Sequence, residues 1–140
     1  MFWLWILVII SAVIVIVIFL PSNNKINSSG TFEIVGEAAY QSNLKKIAGP
    51  KTKEAKYLTV SALIESEPTN KHDRNALKVT IQGLTVGYLS REEASYIAAK
   101  STSPISKPVM ATIVGGWKDK TSEGQYGVKL LLTSIDDLLL

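Results

Sequence analysis

An uncharged run over residues 2–20 separates the first part of this chain from the rest. Ser11 is its only polar side chain. As an α-helix rising about 1.5 Å per residue, the run would be roughly 28 Å long, close to the hydrocarbon core of a bilayer. Trp3 and Trp5 lie near one end of the run, where aromatic side chains anchor membrane spans. The sequence therefore predicts a single-pass transmembrane anchor over residues 1–21.

Two other interpretations of the apolar run agree less well with it. A cleavable signal peptide normally has a basic segment before an apolar region of about 7–15 residues. No Lys or Arg precedes this run, and the run is longer than that region. A buried segment of a soluble core is disfavoured by the length of the run and by its lack of polar side chains. The favoured interpretation is an uncleaved anchor that attaches the chain to a membrane through residues 2–20.

The positive charges that flank the run predict its orientation. Lys25, Lys45 and Lys46 follow the run, and no basic side chain precedes it. Cytoplasmic flanks of membrane spans carry an excess of Lys and Arg. The absence of cysteine agrees with a reducing compartment. We therefore expect a membrane protein whose folded domain is cytoplasmic.

After a polar linker at residues 22–30, short segments alternate between apolar and polar side chains, as half-buried strands do. These segments are residues 32–36, 57–64, 77–82, 85–89, 109–117 and 125–133. A capping box formed by Ser90 and Glu93 predicts a helix over Arg91–Lys100, and one helical turn is expected at residues 43–49. Five or six short strands with one or two short helices predict a mainly β fold, either a small β-barrel or a strongly curved sheet.

Composition and motifs disfavour an enzyme. The chain carries 15 Lys+Arg against 12 Asp+Glu, and this mildly basic balance permits phosphate contact without requiring it. His72 is the only histidine, cysteine is absent, and no nucleophile-elbow, phosphate-loop or metalloprotease motif occurs. The sequence Gly115-Gly116-Trp117 is expected to permit a bulge or a close backbone approach at a strand end. We therefore expect no catalytic residue, metal, cofactor or small-molecule substrate.

Four groups of short motifs occur in order along the folded part. They are Ile34-Val35-Gly36-Glu37 with Tyr40-Gln41; Glu67-Pro68-Thr69-Asn70 with Asp73-Arg74-Asn75-Ala76-Leu77-Lys78-Val79; Val86-Gly87-Tyr88-Leu89-Ser90-Arg91-Glu92-Glu93-Ala94; and Gly115-Gly116-Trp117 with Tyr126-Gly127-Val128. Together they resemble the HIRAN domain, a small module found beside helicase and nuclease domains. The resemblance implies an OB-like β-barrel over residues 31–135, with a tail at residues 136–140. It also implies binding of single-stranded DNA at a free 3′-hydroxyl end.

Transferred position by position, the resemblance assigns polar contacts with DNA to three residues. Asp73 would accept a hydrogen bond from the terminal hydroxyl, because a carboxylate suits a hydroxyl donor and repels a phosphate. Asn70 would lie beside it in the same loop. Arg91, at the start of the predicted helix, would pair with a phosphate.

The resemblance also assigns ring contacts, and here the chain departs from the family. Tyr40 would offer an aromatic platform, His72 would stack on a base, and Tyr88 would contact the strand. Ala38 and Ala39 stand where the DNA-binding member has Arg and Tyr, so one charge contact and one stacking surface are absent. Stacking on an aromatic ring contributes about 1–3 kcal/mol per base, so this loss weakens affinity.

The same residues also have purely structural interpretations. Asn70, Asp73 and Asn75 are residue types that form Asx-turns and so hold a loop in shape. Tyr88 is equally suited to the rim of a core, and Arg91 to a solvated first turn of a helix. Two functions therefore stay open: a membrane-tethered module that binds nucleic acid, and a protein-interaction domain at the membrane that has lost the nucleotide site. A third, an enzyme in its own right, is disfavoured by the missing catalytic motifs.

Overall fold

A computed structural model describes residues 31–140. Its strands are β1 (Thr31–Glu33), β2 (Lys56–Ser66), β3 (Leu77–Ile81), β4 (Leu84–Tyr88), β5 (Ser106–Gly115) and β6 (Tyr126–Leu131). Its helices are α1 (Gln41–Ala48) and α2 (Arg91–Lys100), with 3₁₀-helices at Glu37–Tyr40 and Ile135–Leu139. The predicted anchor over residues 1–21 and the linker over residues 22–30 lie outside the described residues. Between residues 31 and 140, none of the helices has the length and apolar character that crossing a membrane requires.

The strands form one antiparallel sheet in the order β1-β6-β5-β2-β3-β4. The sheet curls into a half-barrel, and its two edges meet at a single bridge between Val35 and Tyr88. There the amide of each residue donates to the carbonyl of the other, at 2.8 and 2.9 Å. The predicted mainly β, strongly curved fold with short helices is therefore confirmed.

The core lies on the concave face of the sheet, under α1 and α2. Its fully buried large side chains are Leu44, Ile64, Ile81, Ile97, Ile113, Leu130, Val79, Val86 and Val128. The alternation predicted for β2 buries only its second half, where Ala62 and Ile64 face the core. Leu58 shares their face but is 40% exposed, because β3 pairs with β2 only over residues 63–66 and leaves Leu58 without a neighbouring strand on that side.

Helix α2 has the predicted bounds and the predicted capping box. The Ser90 hydroxyl accepts a hydrogen bond from the Glu93 amide at 3.2 Å, and the Glu93 carboxylate accepts one from the Ser90 amide at 2.9 Å. These bonds satisfy amides that have no partner within the first turn of a helix. Ala94 and Ile97 are thereby directed into the core.

We expect Ser90→Ala to lower the free energy of unfolding by about 1 kcal/mol, because it removes the side-chain acceptor of this cap. Urea unfolding followed by circular dichroism measures the change. Ser95→Ala, at an exposed position on the same helix, is the matched control and should change stability by less than about 0.5 kcal/mol. Equal effects of the two changes would contradict the capping role.

The prediction of a tail at residues 136–140 is wrong, because the fold continues almost to the end of the chain. Leu138 is 3% exposed and belongs to the core. A second capping box starts the last 3₁₀-helix, where the Asp137 carboxylate accepts from the Ser134 amide at 3.2 Å. The Tyr96 hydroxyl donates to Asp136 at 3.0 Å, which ties this helix to α2.

Candidate nucleic-acid interface

The polar loop between β2 and β3 is held by bonds within its own backbone. The Glu67 amide donates to the Ala76 carbonyl at 2.9 Å, which closes the base of the loop. Inside the loop, the Asn70 amide donates to the Glu67 carbonyl at 3.0 Å, and the Ala76 amide donates to the Asp73 carbonyl at 3.1 Å. Residues 67–76 therefore form a compact turn structure on the rim of the half-barrel.

Asn70 and Asp73 shape this loop through Asx-turns. The Asn70 side-chain oxygen accepts from the amides of His72 at 2.9 Å and Asp73 at 3.1 Å. The Asp73 Oδ1 atom accepts from the Asn75 amide at 2.9 Å. The side chain of Asn70 is therefore engaged by the loop itself, whereas Asp73 uses one of its two carboxylate oxygens.

Glu67 is the shared partner of the loop and the neighbouring strands. Its Oε1 atom accepts from Asn70 Nδ2 at 2.8 Å and from the Tyr88 hydroxyl at 3.1 Å, and its Oε2 atom lies 3.4 Å from Lys78 Nζ. Burial raises the pKa of Glu67, but the bonds from Asn70 and Tyr88 and the Lys78 ammonium outweigh it and hold that pKa below its ordinary value. Glu67 stays a carboxylate, so all three of its partners remain attached.

Tyr40 and Tyr88 form an aromatic pair beside the loop. Their ring centroids are 6.4 Å apart and the rings are tilted by 49°, within the range of favourable aromatic contacts. Burial raises the pKa of the Tyr88 phenol well above its ordinary value, and the neighbouring Tyr40 and Glu67 raise it further. Tyr88 therefore remains a neutral hydrogen-bond donor to Glu67.

Arg91 reaches from the first position of α2 to the same loop. Its Nη2 atom donates to the His72 carbonyl at 3.3 Å, and both side chains are exposed. This contact joins the start of the helix to the tip of the loop. The Arg91 side chain is thus held against the backbone of His72 at an exposed position.

The 3₁₀-helix that carries Tyr40 and the helix α1 that follows it span the gap between the edges of β4 and β6. Gln41 Nε2 donates to the Tyr126 carbonyl and Gln41 Oε1 accepts from the Tyr126 amide, both at 2.9 Å. Glu37 accepts from the Val128 amide at 2.7 Å, and Asn43 donates to the Thr85 carbonyl at 2.8 Å. β1 pairs only with residues 129–131 of β6. The side chains of Gln41 and Glu37 therefore bond to the β6 backbone at Tyr126 and Val128, where β1 does not pair with it.

Burial of the Glu37 carboxylate disfavours its charged form. Burial raises the pKa of Glu37 above its ordinary value, the Val128 amide opposes this, and the charge of Glu33 adds to the rise. Beside it, Ala38 and Ala39 are both exposed. Ala38 and Ala39, which the predicted resemblance aligns with an Arg and a Tyr of a DNA-binding protein, therefore form a small exposed apolar surface.

The Gly115-Gly116 pair permits the close approach that its sequence predicts. Both residues have positive φ, 70° and 63°, which only glycine adopts without strain. A Cβ atom on Gly115 would meet the Gln125 carbonyl, and one on Gly116 would meet the Tyr126 ring. The pair lets the β5–β6 hairpin begin tightly and keeps Tyr126 buried.

The structure brings the six predicted site residues into three contacts on one rim. Tyr40 packs against Tyr88, the loop that holds Asn70 and Asp73 bonds to Tyr88 through Glu67, and Arg91 bonds to the carbonyl of His72. Sequence reasoning missed Glu67 as the connecting residue; a Glu three positions before Asn70 at the loop entrance was the available signal. Among residues 31–140, no group of three or more His, Cys, Asp and Glu side chains is placed to hold a metal ion.

Comparison with known proteins adds no relative. No protein family, curated protein or solved structure matches this chain. The resemblance to the HIRAN domain therefore stays a prediction that rests on the motifs in the sequence.

Proposed function

We propose that this chain is a membrane-tethered HIRAN-like protein with an OB-like barrel that binds the free 3′ end of single-stranded DNA and has no catalysis of its own. The observation that carries the proposal is the rim on which the Tyr40–Tyr88 pair, the loop of Asp73 and the Arg91 guanidinium lie together. Rings, a carboxylate and a cation are the groups that a strand end needs for its base, its hydroxyl and its phosphate.

The carboxylate of Asp73 supports recognition of a hydroxyl. Its Oδ1 atom is used by the Asn75 amide, and no hydrogen bond to its Oδ2 atom occurs within residues 31–140. A carboxylate oxygen accepts from a hydroxyl donor and repels a phosphate. A DNA strand that ends in a 3′-hydroxyl therefore fits this loop, whereas a DNA strand that ends in a 3′-phosphate does not.

Arg91 and the rings of His72 and Tyr40 support binding of the rest of the terminal nucleotides. The guanidinium of Arg91 bonds only to a neutral carbonyl in this structure, at 3.3 Å, among the described residues. A phosphate is a stronger acceptor for it, because the bond is then charge-assisted on both sides. The imidazole of His72 and the ring of Tyr40 offer π-faces for bases, although Ala38 and Ala39 offer none.

The test compares two decathymidylates that differ only at the 3′ end, titrated into the full chain in a neutral detergent and followed by fluorescence anisotropy. We expect the 3′-phosphate form to bind at least about tenfold more weakly, since one repulsive contact of about 1.4 kcal/mol has that effect. Asp73→Asn keeps an acceptor for the Asn75 amide but removes the charge, so it should abolish this preference.

Asp119→Asn is the matched control for that variant. Asp119 also accepts amides in an exposed turn, from Thr121 at 2.8 Å and Ser122 at 2.9 Å, but it lies in the β5–β6 hairpin. It should leave the 3′-hydroxyl preference unchanged. Equal binding of the two oligonucleotides, or equal behaviour of the two variants, would rule out end recognition by Asp73.

The convex face of the sheet favours the second candidate, a protein-interaction domain. Met110 on β5 lies opposite Leu131 on β6, and these side chains are 47% and 41% exposed. On the same face, Tyr57 is 83% exposed. Exposed apolar side chains of this kind mark interaction surfaces. Failure of the full chain to bind any oligonucleotide saturably, together with loss of a stable protein complex in Met110→Lys, would favour this function.

A further inference from the structure

A basic cleft lies on the other side of α1 from the aromatic pair. Its volume is about 550 Å³, and it is enclosed by α1, the segment after it and the β5–β6 hairpin. The ammonium-bearing side chains that line it are Lys45, Lys51 and Lys118, and Glu123 is the only carboxylate among its lining residues. Tyr126, at the first position of β6, also contributes to its wall.

The charge of this cleft is only partly compensated. Lys51 lies 3.1 Å from Glu123, so this pair is neutral as a unit. The hydrogen bond from Lys51, then the charges of Lys51 and Lys118, hold the pKa of Glu123 below its ordinary value. Lys118 also lies opposite Glu123 in an isolated antiparallel bridge of the hairpin. Within residues 31–140, neither Lys45 nor Lys118 forms an ion pair. Two ammonium groups are therefore left to attract an anion.

The chain itself connects this cleft to the rim described above. The ring of Tyr40 faces Tyr88, and the next residue, Gln41, lines the cleft and bonds to Tyr126. The aromatic pair and the basic cleft are thus separated by a single turn of backbone. A polyanion that is held at the rings and extends past this turn meets the ammonium groups next.

The continuity of the cleft with the aromatic pair favours a nucleic acid over lipid headgroups as the anion. Gln41 lines the cleft and directly follows Tyr40, which packs against Tyr88. A nucleic acid presents bases to rings and phosphates to ammonium groups along one chain, whereas a lipid headgroup presents only the anion.

We propose that the cleft formed by Lys45, Lys51 and Lys118 binds internal phosphates of a single-stranded DNA. The 3′ end of the same DNA molecule occupies the rim of the half-barrel beside Asp73. This inference rests on the proposed function, but it concerns a separate group of residues and a separate contact. It predicts that affinity depends on strand length, because a dinucleotide fills the rim and does not reach the cleft.

The test measures how the dissociation constant of dodecathymidylate varies with salt for the full chain in neutral detergent. For single strands, the slope of log K against log salt changes by about 0.7 for each phosphate that loses its cation. The double variant Lys45→Gln/Lys118→Gln should therefore reduce the slope by about 1.4 and leave binding of a dithymidylate unchanged.

Lys107→Gln/Lys129→Gln is the matched control, since it removes the same charge from two residues outside the cleft. Within the part of the chain that the structure describes, neither lysine is in an ion pair. The control should leave the slope within about 0.3 of the unmodified chain, because it removes no phosphate contact. Equal slopes for the cleft variant and the control would overturn the inference.

The remaining outcomes separate this inference from the end-binding proposal. If the slope falls only in the cleft variant while 3′-hydroxyl preference is missing, the cleft inference stands and end recognition fails. If the preference is present and the slopes are equal, end recognition stands and the cleft inference fails. If the cleft variant loses only its affinity for phosphatidylserine vesicles, the cleft serves lipid headgroups and the inference fails. If the unmodified chain binds no oligonucleotide, both fail.

Discussion

Gly87→Ala should destabilise the domain by about 3 kcal/mol, because the added methyl group has no space at the seam of the half-barrel. Its Cβ would lie 2.6 Å from the Val35 carbonyl oxygen and 2.8 Å from Ile34 Cδ1. The carbonyl belongs to the only bridge that joins the two sheet edges in the described residues. Thermal unfolding should show a midpoint lower by on the order of 10 °C.

Gly127→Ala is the matched control for the seam variant. Gly127 also lies within a strand, but the nearest atom to an added Cβ is Val114 Cγ2 at 3.4 Å, an ordinary contact. Its effect on stability should stay within about 1 kcal/mol. Similar losses in both variants would contradict the steric clash at the seam as the cause. The seam variant should also weaken the DNA binding proposed above, because Tyr88 is the next residue.

Glu67→Ala should destabilise the domain by about 2 kcal/mol, because it leaves Asn70 Nδ2, the Tyr88 hydroxyl and the Lys78 ammonium without their common partner. Glu67→Gln keeps an acceptor for the first two and loses the ion pair, so its cost should be about 0.5–1 kcal/mol. Glu65→Ala is the control, since within residues 31–140 the Glu65 carboxylate has only one ion-pair partner, Lys78 at 3.9 Å, and no hydrogen bond. Urea unfolding at pH 7 should therefore rank the three variants in that order.

The effect of Glu67 should depend on pH in a defined direction. Its folded pKa is held below the ordinary value of 4.5. The carboxylate therefore contributes stability above pH 4.5, and this contribution is lost as the pH falls through the folded pKa. The difference in stability between the unmodified chain and Glu67→Gln should shrink as the pH is lowered from 7 to 3. A difference that is constant over this range would contradict the ionised role of Glu67.

Local patterns in the sequence were sufficient for most of the secondary structure. The capping box at Ser90 and Glu93 predicted α2 with its observed bounds, because a cap is formed by neighbours in the sequence. Period-two alternation located all six strands, although β1 is shorter than predicted. The last 3₁₀-helix was missed, because burial of Leu138 depends on the distant core that it contacts and not on its neighbours.

The sequence predicted which residues belong to the candidate site, but it did not predict which hydrogen bonds those residues form. The motifs nominated Asn70 and Asp73, and the structure shows that the side chain of Asn70 is engaged in holding the loop. Glu67 was not nominated, because its partners Tyr88 and Lys78 lie on other strands. The basic cleft was equally invisible, since its lysines come from three separate segments.

By itself, the sequence determined the strands, the cap of α2 and the residues of the polar loop, all through interactions between near neighbours. The apolar run of residues 2–20 is likewise a feature of the sequence alone, and its role as a membrane anchor stays a prediction. Only the tertiary structure decided that the sheet curls until Val35 meets Tyr88, that Glu67 joins the loop to the rings, and that Lys45 and Lys118 share a cleft. Strand pairing between distant segments produces these contacts, and its register is set by how the whole core packs.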